Sequence, residues 1–402
     1  LQRWLSIVGL GEDGVEGLGR EARDLIENAE FVFGGVRHLA LAAPLIRGEA
    51  KPWPSPFSSA PGEVAALRGR RVCVLASGDP YFYGVGATLA GHVPAEETRV
   101  VPAPSAFSLA AARLGWPLAE TVCVSLHGRA LDRIRPHLHP GARILALTSD
   151  AEGPRALAAL LSETGFGPSQ MTVLEALGGA RERIRMAEAR GFGLTDIAPL
   201  NTVAIEVAAE PGARILAYAP GLDDDLFDHD GQITKREIRA LTLSALRPRQ
   251  GELLWDVGAG SGSVGIEWLL AHASLRAIAV EADTDRAARA ARNATAFGVP
   301  HLDVIQGRAP EALAGLPQPD AIFVGGGGSG DGVFETCLGR LKPGGRLVAN
   351  AVTLETESEL IKRHAAHGGT LVRIEVSRAN AVGGKTGWRP AMPVTQWSWE
   401  KT

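Results

Sequence analysis

Cysteine, methionine and tyrosine each occur only three times in 402 residues, and aromatic residues make up 5% of the chain. Cys73, Cys123 and Cys337 are scattered. They have neither the close spacing of a metal site nor the pairing of a disulfide framework, so they read as free thiols of a reducing cytosol. No metal site is expected. No apolar run is long enough to cross a bilayer, and no segment has the layout of a signal peptide, so the expected location is cytoplasmic and no membrane partner is expected. Charge of one sign is also lacking. A formal net charge of −4 leaves no basic footprint for nucleic acid. What remains, 45% hydrophobic and 21% charged, is a globular composition. The length exceeds one ordinary core, so two domains are expected.

Glycine, by contrast, is abundant. The stretch Gly251 to Gly265 reads GELLWDVGAGSGSVG. Leu253, Leu254, Trp255 and Val257 have the length of a buried strand, Asp256 lies near its end, and helical spacing resumes from Val264. This is strand, glycine turn, helix. Glycine lets backbone approach a ligand, and the helix N-terminus offers free N–H groups. A nicotinamide fingerprint needs a third glycine or alanine where Ser263 stands. The glycines are instead Gly258, Gly260 and Gly262, in a D-x-G-x-G-x-G pattern that resembles the class I S-adenosylmethionine methyltransferases. In that family a second acid closes the next strand and binds the ribose hydroxyls; Glu281 holds that place. Strands are also expected at Asp320 to Val324 and after the Lys342-Pro343-Gly344-Gly345 turn.

The first half alternates strands and helices and reads as an α/β domain. Strands are expected at Trp4 to Leu10, Phe31 to Phe33, Arg71 to Ala76, Thr121 to Leu126, Arg143 to Leu147, Met171 to Leu174 and Thr202 to Val207. The proline-rich Lys51 to Gly62 is expected to be loop. Three strand-end phrases resemble the tetrapyrrole methylases (class III methyltransferases): Val8-Gly9-Leu10-Gly11, Ser77-Gly78-Asp79-Pro80 and Pro102-Ala103-Pro104-Ser105-Ala106. The resemblance covers roughly residues 3 to 208. It implies a two-lobed fold with Gly78, Asp79, Ser105 and Ala106 beside the methyl donor. Glu12-Asp13 departs from the Pro-Gly frequent in that family and is given no role. His127 and Arg129, after a strand, are candidate substrate contacts.

The expected domains are 1–208, a linker at 209–222 marked by Pro211-Gly212 and Pro220-Gly221, and 223–402. Leu226 to Glu237 has five marked places of a calcium loop, but Leu226 stands where the first carboxylate must be. The segment reads instead as the start of a helix from Thr234 to Leu246, with Thr234 and Glu237 as a capping box.

Gln232 to Arg239, Gln306 to Leu313, Val324 to Gly328 and Asn350 to Glu355 resemble the decarboxylating precorrin methyltransferases of vitamin B12 synthesis. The chain would then be a tetrapyrrole methylase fold joined to a Rossmann-like class I methyltransferase fold. That resemblance implies a methyl donor, S-adenosylmethionine, in each domain, a precorrin substrate and a homo-oligomer. It implies methylation at carbon 5 by the first domain, and at carbon 15 by the second with loss of carbon dioxide from the ring C acetate. It places Thr234 at the donor and Ala309 beside the adenine. Arg308 stands where many class I enzymes have Asp. Gly325 to Gly330 reads as a strand-end turn giving room to a flat substrate, and Gly383 to Gly387 as a hairpin turn. A substrate with several carboxylates calls for arginines, and Arg129, Arg239 and Arg308 are the candidates. Asp79, His127 and Glu311 are the candidate bases. The sulfonium donor is already activated, so catalysis would rest on positioning and desolvation. Three other readings stay open on the residues. One is methyl transfer to another acceptor, such as RNA or protein, and a second has the first half as a non-catalytic binding module. The third is a nicotinamide dehydrogenase, against which Ser263 stands.

Overall fold

The structure, a computed structural model, describes residues 3–328 and 330–402. The chain divides into two compact units: Leu1–Leu131 with His137–Ala213, and Asp132–Pro136 with Arg214–Thr402.

The first unit holds two sheets. One is built from β1 (Leu5–Leu10), β2 (Phe31–Gly34), β3 (Glu49–Pro52), β4 (Val72–Ser77) and β5 (Thr98–Val101), in the order β3-β2-β4-β1-β5. Every pairing is parallel. The central strands are buried on both faces, which is why β1 and β4 read as continuous apolar runs rather than alternating ones. The second sheet has β6 (Val122–Ser125), β7 (Arg143–Leu147), β8 (Gln170–Glu175), β9 (Arg183–Glu188) and β10 (Asn201–Glu206), in the order β6-β7-β10-β8-β9. Only β6 and β7 pair in parallel.

Two strands differ from the sequence expectation. β3 runs into the stretch expected to be loop, and a helix at Ala60–Ala65 ends that stretch; β9 carries no strand signal at all. Both are edge strands with mostly exposed side chains, so neither shows the apolar pattern on which a strand assignment rests.

The second unit is one seven-stranded sheet in the order β13-β12-β11-β14-β15-β19-β16. Its strands are β11 (Leu253–Val257), β12 (Arg276–Glu281), β13 (Asp303–Gln306), β14 (Ala321–Val324), β15 (Arg346–Ala351), β16 (Thr370–Ile374) and β19 (Val394–Glu400). The first five pair in parallel, and β19 closes against β15 and β16 in the antiparallel sense. Between them β17 (Ser377–Val382) and β18 (Lys385–Pro390) form the exposed hairpin, turning at Gly383 and Gly384. Leu253, Trp255 and Val257 face one apolar layer, while Leu254 faces the other. The order reverses at β11 and β14, which opens a crevice at the carboxyl ends of those strands.

A buried ion pair ties this sheet to the helix before it. Arg346 at the start of β15 donates Nη1 and Nη2 to the two oxygens of Glu252, both at 2.6 Å. It also donates to the carbonyls of Leu246 and Arg247 at 2.9 and 2.8 Å. Its side chain is 2% exposed. Removing one partner of a buried pair strands the other charge. Arg346→Ala is therefore expected to lower the unfolding free energy of the second unit by about 3–5 kcal/mol. Urea unfolding followed by tryptophan fluorescence measures it, since Trp255, Trp268 and Trp397 are wholly buried there.

Candidate active sites

In the second unit, the turn after β11 is shaped by glycine. Gly258, Gly260 and Gly262 have φ of 72°, 58° and 76°, a region that side chains disfavour. A Cβ on Gly258 would lie 2.1 Å from the carbonyl oxygen of Gly326, in the turn after β14. Gly262 leads into the helix Ser263–Ala271, whose first turn has no side-chain cap. Glu281, the last residue of β12, reaches across to this turn. Its Oε2 accepts from the Gly260 N–H at 2.7 Å and its Oε1 from the Asp283 N–H at 3.0 Å.

Asp256 sits under the turn. Its Oδ2 accepts from the Gly265 N–H at 2.9 Å, while Oδ1 is buried without a hydrogen-bond partner. Burial pushes its carboxyl up to about 7, with the nearby Glu281 adding to the rise and the Gly265 N–H opposing it.

Beside the turn lies a cavity of about 1130 Å³. Thr234, Gly258, Gly260, Glu281, Arg308, Ala309 and Glu311 all line it, so the structure gathers most of the residues singled out in this half. Gly325, Gly326, Gly327 and Gly330 line it too; Ser329, within that expected turn, lies outside the described residues. Gly262 is not in the wall; a Cβ there would meet Ala290 at 3.0 Å, so that glycine serves helix packing.

Arg239 requires a correction, because it is wholly buried and not part of the cavity wall. It donates Nε to Glu267 at 2.5 Å and Nη1 to Asp224 at 3.1 Å, and its guanidinium stacks 4.7 Å from the Phe227 ring centre. It also donates to the carbonyls of Leu222 and Thr234. Its four hydrogen bonds therefore hold the chain around the cavity rather than meeting a substrate. The capping box is a second correction. The helix spans Arg236–Leu246 with Lys235 at its N-cap and no side-chain cap bond. Glu237 pairs with Arg378 instead.

The acidic segment before this helix is also held by charge. Asp230 accepts from Arg286 at 2.8 Å and lies 3.3 Å from Arg289, and Asp228 accepts from Arg292 at 3.0 Å. All three arginines stand on the helix Thr284–Ala296. The Arg286 guanidinium holds the Asp230 carboxyl well below the usual carboxylate range.

In the first unit, the three strand-end phrases meet. The Gly78 N–H donates to the Leu10 carbonyl, and the Ala103 N–H to the Gly78 carbonyl, both at 3.2 Å. A Cβ on Gly9 would lie 2.0 Å from the Gly78 oxygen. One on Gly78, at φ 56°, would lie 2.8 Å from the Pro104 oxygen and the Ser105 Cα. The side chain of Ser105 caps the helix Ala106–Leu114, accepting from the Ser108 N–H at 3.1 Å. Asp79 Oδ1 accepts from the Tyr81 N–H at 2.8 Å, a local turn bond. His127 is exposed, 3.3 Å from the Thr148 carbonyl, and Arg129 stacks 5.7 Å from the Tyr83 ring centre.

A polar group beside Gly78 went unread in the sequence. His38 Nε2 lies 2.8 Å from Ser77 Oγ, Arg37 donates to that Oγ at 3.1 Å, and Arg37 pairs with Glu12. Burial, reinforced by the Arg37 charge, lowers His38 to about 4, so its ring is neutral. The residues come from three different strand ends. The one available signal was Glu12, the departure noted above.

Glycine-built turns at the ends of parallel strands in each unit, with a cavity beside those of the second, mark a two-domain S-adenosylmethionine-dependent methyltransferase. Residues 5–190 match the family of tetrapyrrole (corrin/porphyrin) methylases, and residues 225–401 match the precorrin methyltransferase domain. The chain belongs to the decarboxylating precorrin-6Y C(5,15)-methyltransferases: it is 63% identical over 398 residues to that enzyme of a Sinorhizobium species, covering 99% of this chain and 96% of the relative. It is 42% identical to the enzyme of the same name from Mycobacterium tuberculosis, covering 98% of each. A cobalt-precorrin-7 C(5)-methyltransferase of Salmonella typhimurium is 34% identical over 181 residues, which is 45% of this chain and 88% of that one.

The raised carboxyl of Asp256 predicts a pH effect with a definite sign. Between its ordinary value of about 3.8 and about 7, the folded chain keeps a proton that the unfolded chain has lost. Stability from this group is therefore complete below the lower value and is lost as pH rises through the upper one. Relative to Asp256→Asn, the wild type is expected to lose stability across that window and to hold a constant difference above it. Urea midpoints of both proteins over that pH range provide the measurement.

Proposed function

We propose that the chain methylates precorrin-6Y at carbons 5 and 15 and removes carbon dioxide from the ring C acetate, with one S-adenosylmethionine site in each unit. The observation that carries this reading is the pairing, along one chain, of two sets of glycine-built strand-end turns in sheets of different design. The Salmonella relative supports the division of labour, since a carbon 5 methylase exists there as a protein matching about half of this chain. Carbon 5 is assigned to the first domain, 1–208. Carbon 15 and the decarboxylation go to the second, 223–402, with 209–222 as the linker. A homo-oligomer in the cytoplasm completes the proposal, as the family resemblance implies.

The residues present fit the donor. In the second unit Gly258 and Gly260 leave the backbone open to a ligand, and Glu281 offers a carboxylate for the ribose hydroxyls. Thr234 and Ala309 are further wall residues, the latter beside the adenine. In the first unit Gly78 and Asp79 form one side of the site, and Ser105 and Ala106 open the helix on the other. The donor supplies a methyl group on a sulfonium, a leaving group that needs no further activation. The protein's part is to hold the acceptor carbon in line and to exclude water. Arg308, exposed at the cavity and with no ion pair among the described residues, would meet a substrate carboxylate. Arg129 would do the same in the first unit. No base is singled out among Asp79, His127 and Glu311.

Calorimetry with S-adenosylhomocysteine tests the two sites separately. The wild type is expected to bind two equivalents, and Gly258→Asp and Gly78→Ala one each. A single equivalent in the wild type, abolished by Gly258→Asp alone, would make the first unit a binding module. With precorrin-6Y and labelled donor, the expected product carries two added methyl groups and one carboxylate fewer.

A further inference from the structure

Asn350, the fifth residue of β15, lines the cavity of the second unit through a side chain held from behind. Thr242 Oγ1 donates its hydrogen to the Ile238 carbonyl at 2.8 Å, so toward other groups it can only accept. It accepts from Asn350 Nδ2 at 2.9 Å and from Gln396 Nε2 at 3.2 Å. Gln396 Nε2 also donates to Asn350 Oδ1 at 2.9 Å. Asn350 and Gln396 are register partners across β15 and β19. Thr242 and Gln396 are both buried. The chain of donors and acceptors allows only one orientation of the Asn350 amide. One N–H of Nδ2 is left without a partner in this network, on the residue that borders the cavity.

The surroundings narrow what that N–H can serve. Arg378 and Arg286, also in the wall, are paired with Glu237 and Asp230. Val352, Val376, Met392 and Val394 form an apolar part of the wall, with Asn350 among them in sequence or sheet register. This is a neutral donor among apolar neighbours, and Arg308, a wall cation without an ion pair among the described residues, follows β13, which three strands separate from β15. Such a setting suits a carboxylate that must give up its charge. A guanidinium would hold the charge on the carboxylate and resist its departure. A single neutral N–H orients the group without that penalty, and apolar neighbours favour the dispersal of charge.

We propose that Asn350 orients the ring C acetate for decarboxylation, donating its free amide N–H to the carboxylate that leaves; the inference rests on the function proposed above. In that step the bond between the methylene carbon and the carboxyl carbon breaks. Its electron pair moves into the conjugated imine system of the macrocycle, and carbon dioxide departs. The methylene carbon then takes a proton from solvent to become a methyl group. Asn350 touches the substrate; Thr242 and Gln396 are positioning residues that act through it.

The test uses the full chain with precorrin-6Y and S-adenosylmethionine, reading products by mass spectrometry and S-adenosylhomocysteine binding by calorimetry. In Asn350→Ala, binding of S-adenosylhomocysteine is expected within about twofold of wild type. The share of methylated product that has lost carbon dioxide is expected to fall about tenfold or more, the loss of one hydrogen bond to a charged group. Thr242→Val should shift the share in the same direction, and Thr242→Ser, which keeps the oxygen, should restore it. A wild-type share in Asn350→Ala, or equal shares in Thr242→Val and Thr242→Ser, overturns the proposal. If Asn350→Ala does not fold, the Thr242 pair decides alone. Absence of any methyl transfer by the wild-type chain would overturn the functional reading itself, and this inference with it.

Discussion

Gly258 and Gly326 lie so close that no side chain fits between them, and Gly9 and Gly78 repeat the arrangement in the other unit. This contact of backbone with backbone at the ends of neighbouring parallel strands is the constraint on which the turns of both units depend. In the second unit a crevice opens at those ends because adjacent strands send their connections to opposite faces. Its depth depends on the turns being bare. Where Cβ atoms would collide, the chain instead presents N–H and C=O groups, and these order the site: Gly258 and Ala259 donate to Val280, Gly78 to Leu10, and Ala103 to Gly78.

Charge is distributed in the second unit by the same economy. Cations that shape the cavity are paired behind it or at its edge: Arg239 with Glu267 and Asp224, Arg286 with Asp230, Arg378 with Glu237. Glu281 and Asp256 are held differently, by backbone N–H groups alone: Glu281 by Gly260 of the turn it faces and by Asp283 of its own loop, and Asp256 by Gly265. A carboxylate held this way keeps lone pairs for a ligand, whereas one clasped by a guanidinium would not.

The parts of this protein legible in its sequence are those in which chemistry is local. A glycine turn between a strand and a helix is one continuous stretch, and the central strands are apolar because both their faces are covered. That is why Gly258, Gly260 and Glu281 could be placed at one crevice, and why the phrases at Gly9, Gly78 and Ser105 could be grouped. Edge strands β3 and β9 lack that pattern and were not visible. Nor was the fate of arginines. Arg239 and Arg308 look equivalent in sequence, but one is wholly buried against Glu267, 28 positions away, and the other borders the cavity. The amide network of Asn350 spans 154 positions between Thr242 and Gln396, a distance over which spacing carries no information.

The wall segment Gly231 to Lys235 borders the cavity and follows directly on Asp228 and Asp230, the residues held by arginines of the helix Thr284–Ala296. Phe227 is buried, Ile233 packs against the same core and Asn293 bonds the Asp228 backbone, so the ion pairs supplement this attachment. The pairs are partly exposed, and small ions compete with them within a Debye length of about 10 Å at 0.1 M salt. This part of the wall is thus fastened in part by an interaction that the surrounding electrolyte can loosen, as is the partly exposed Arg378–Glu237 pair, while the glycine turn is held by backbone hydrogen bonds. The ionic strength of the medium therefore acts on this cavity through the ion pairs in its wall.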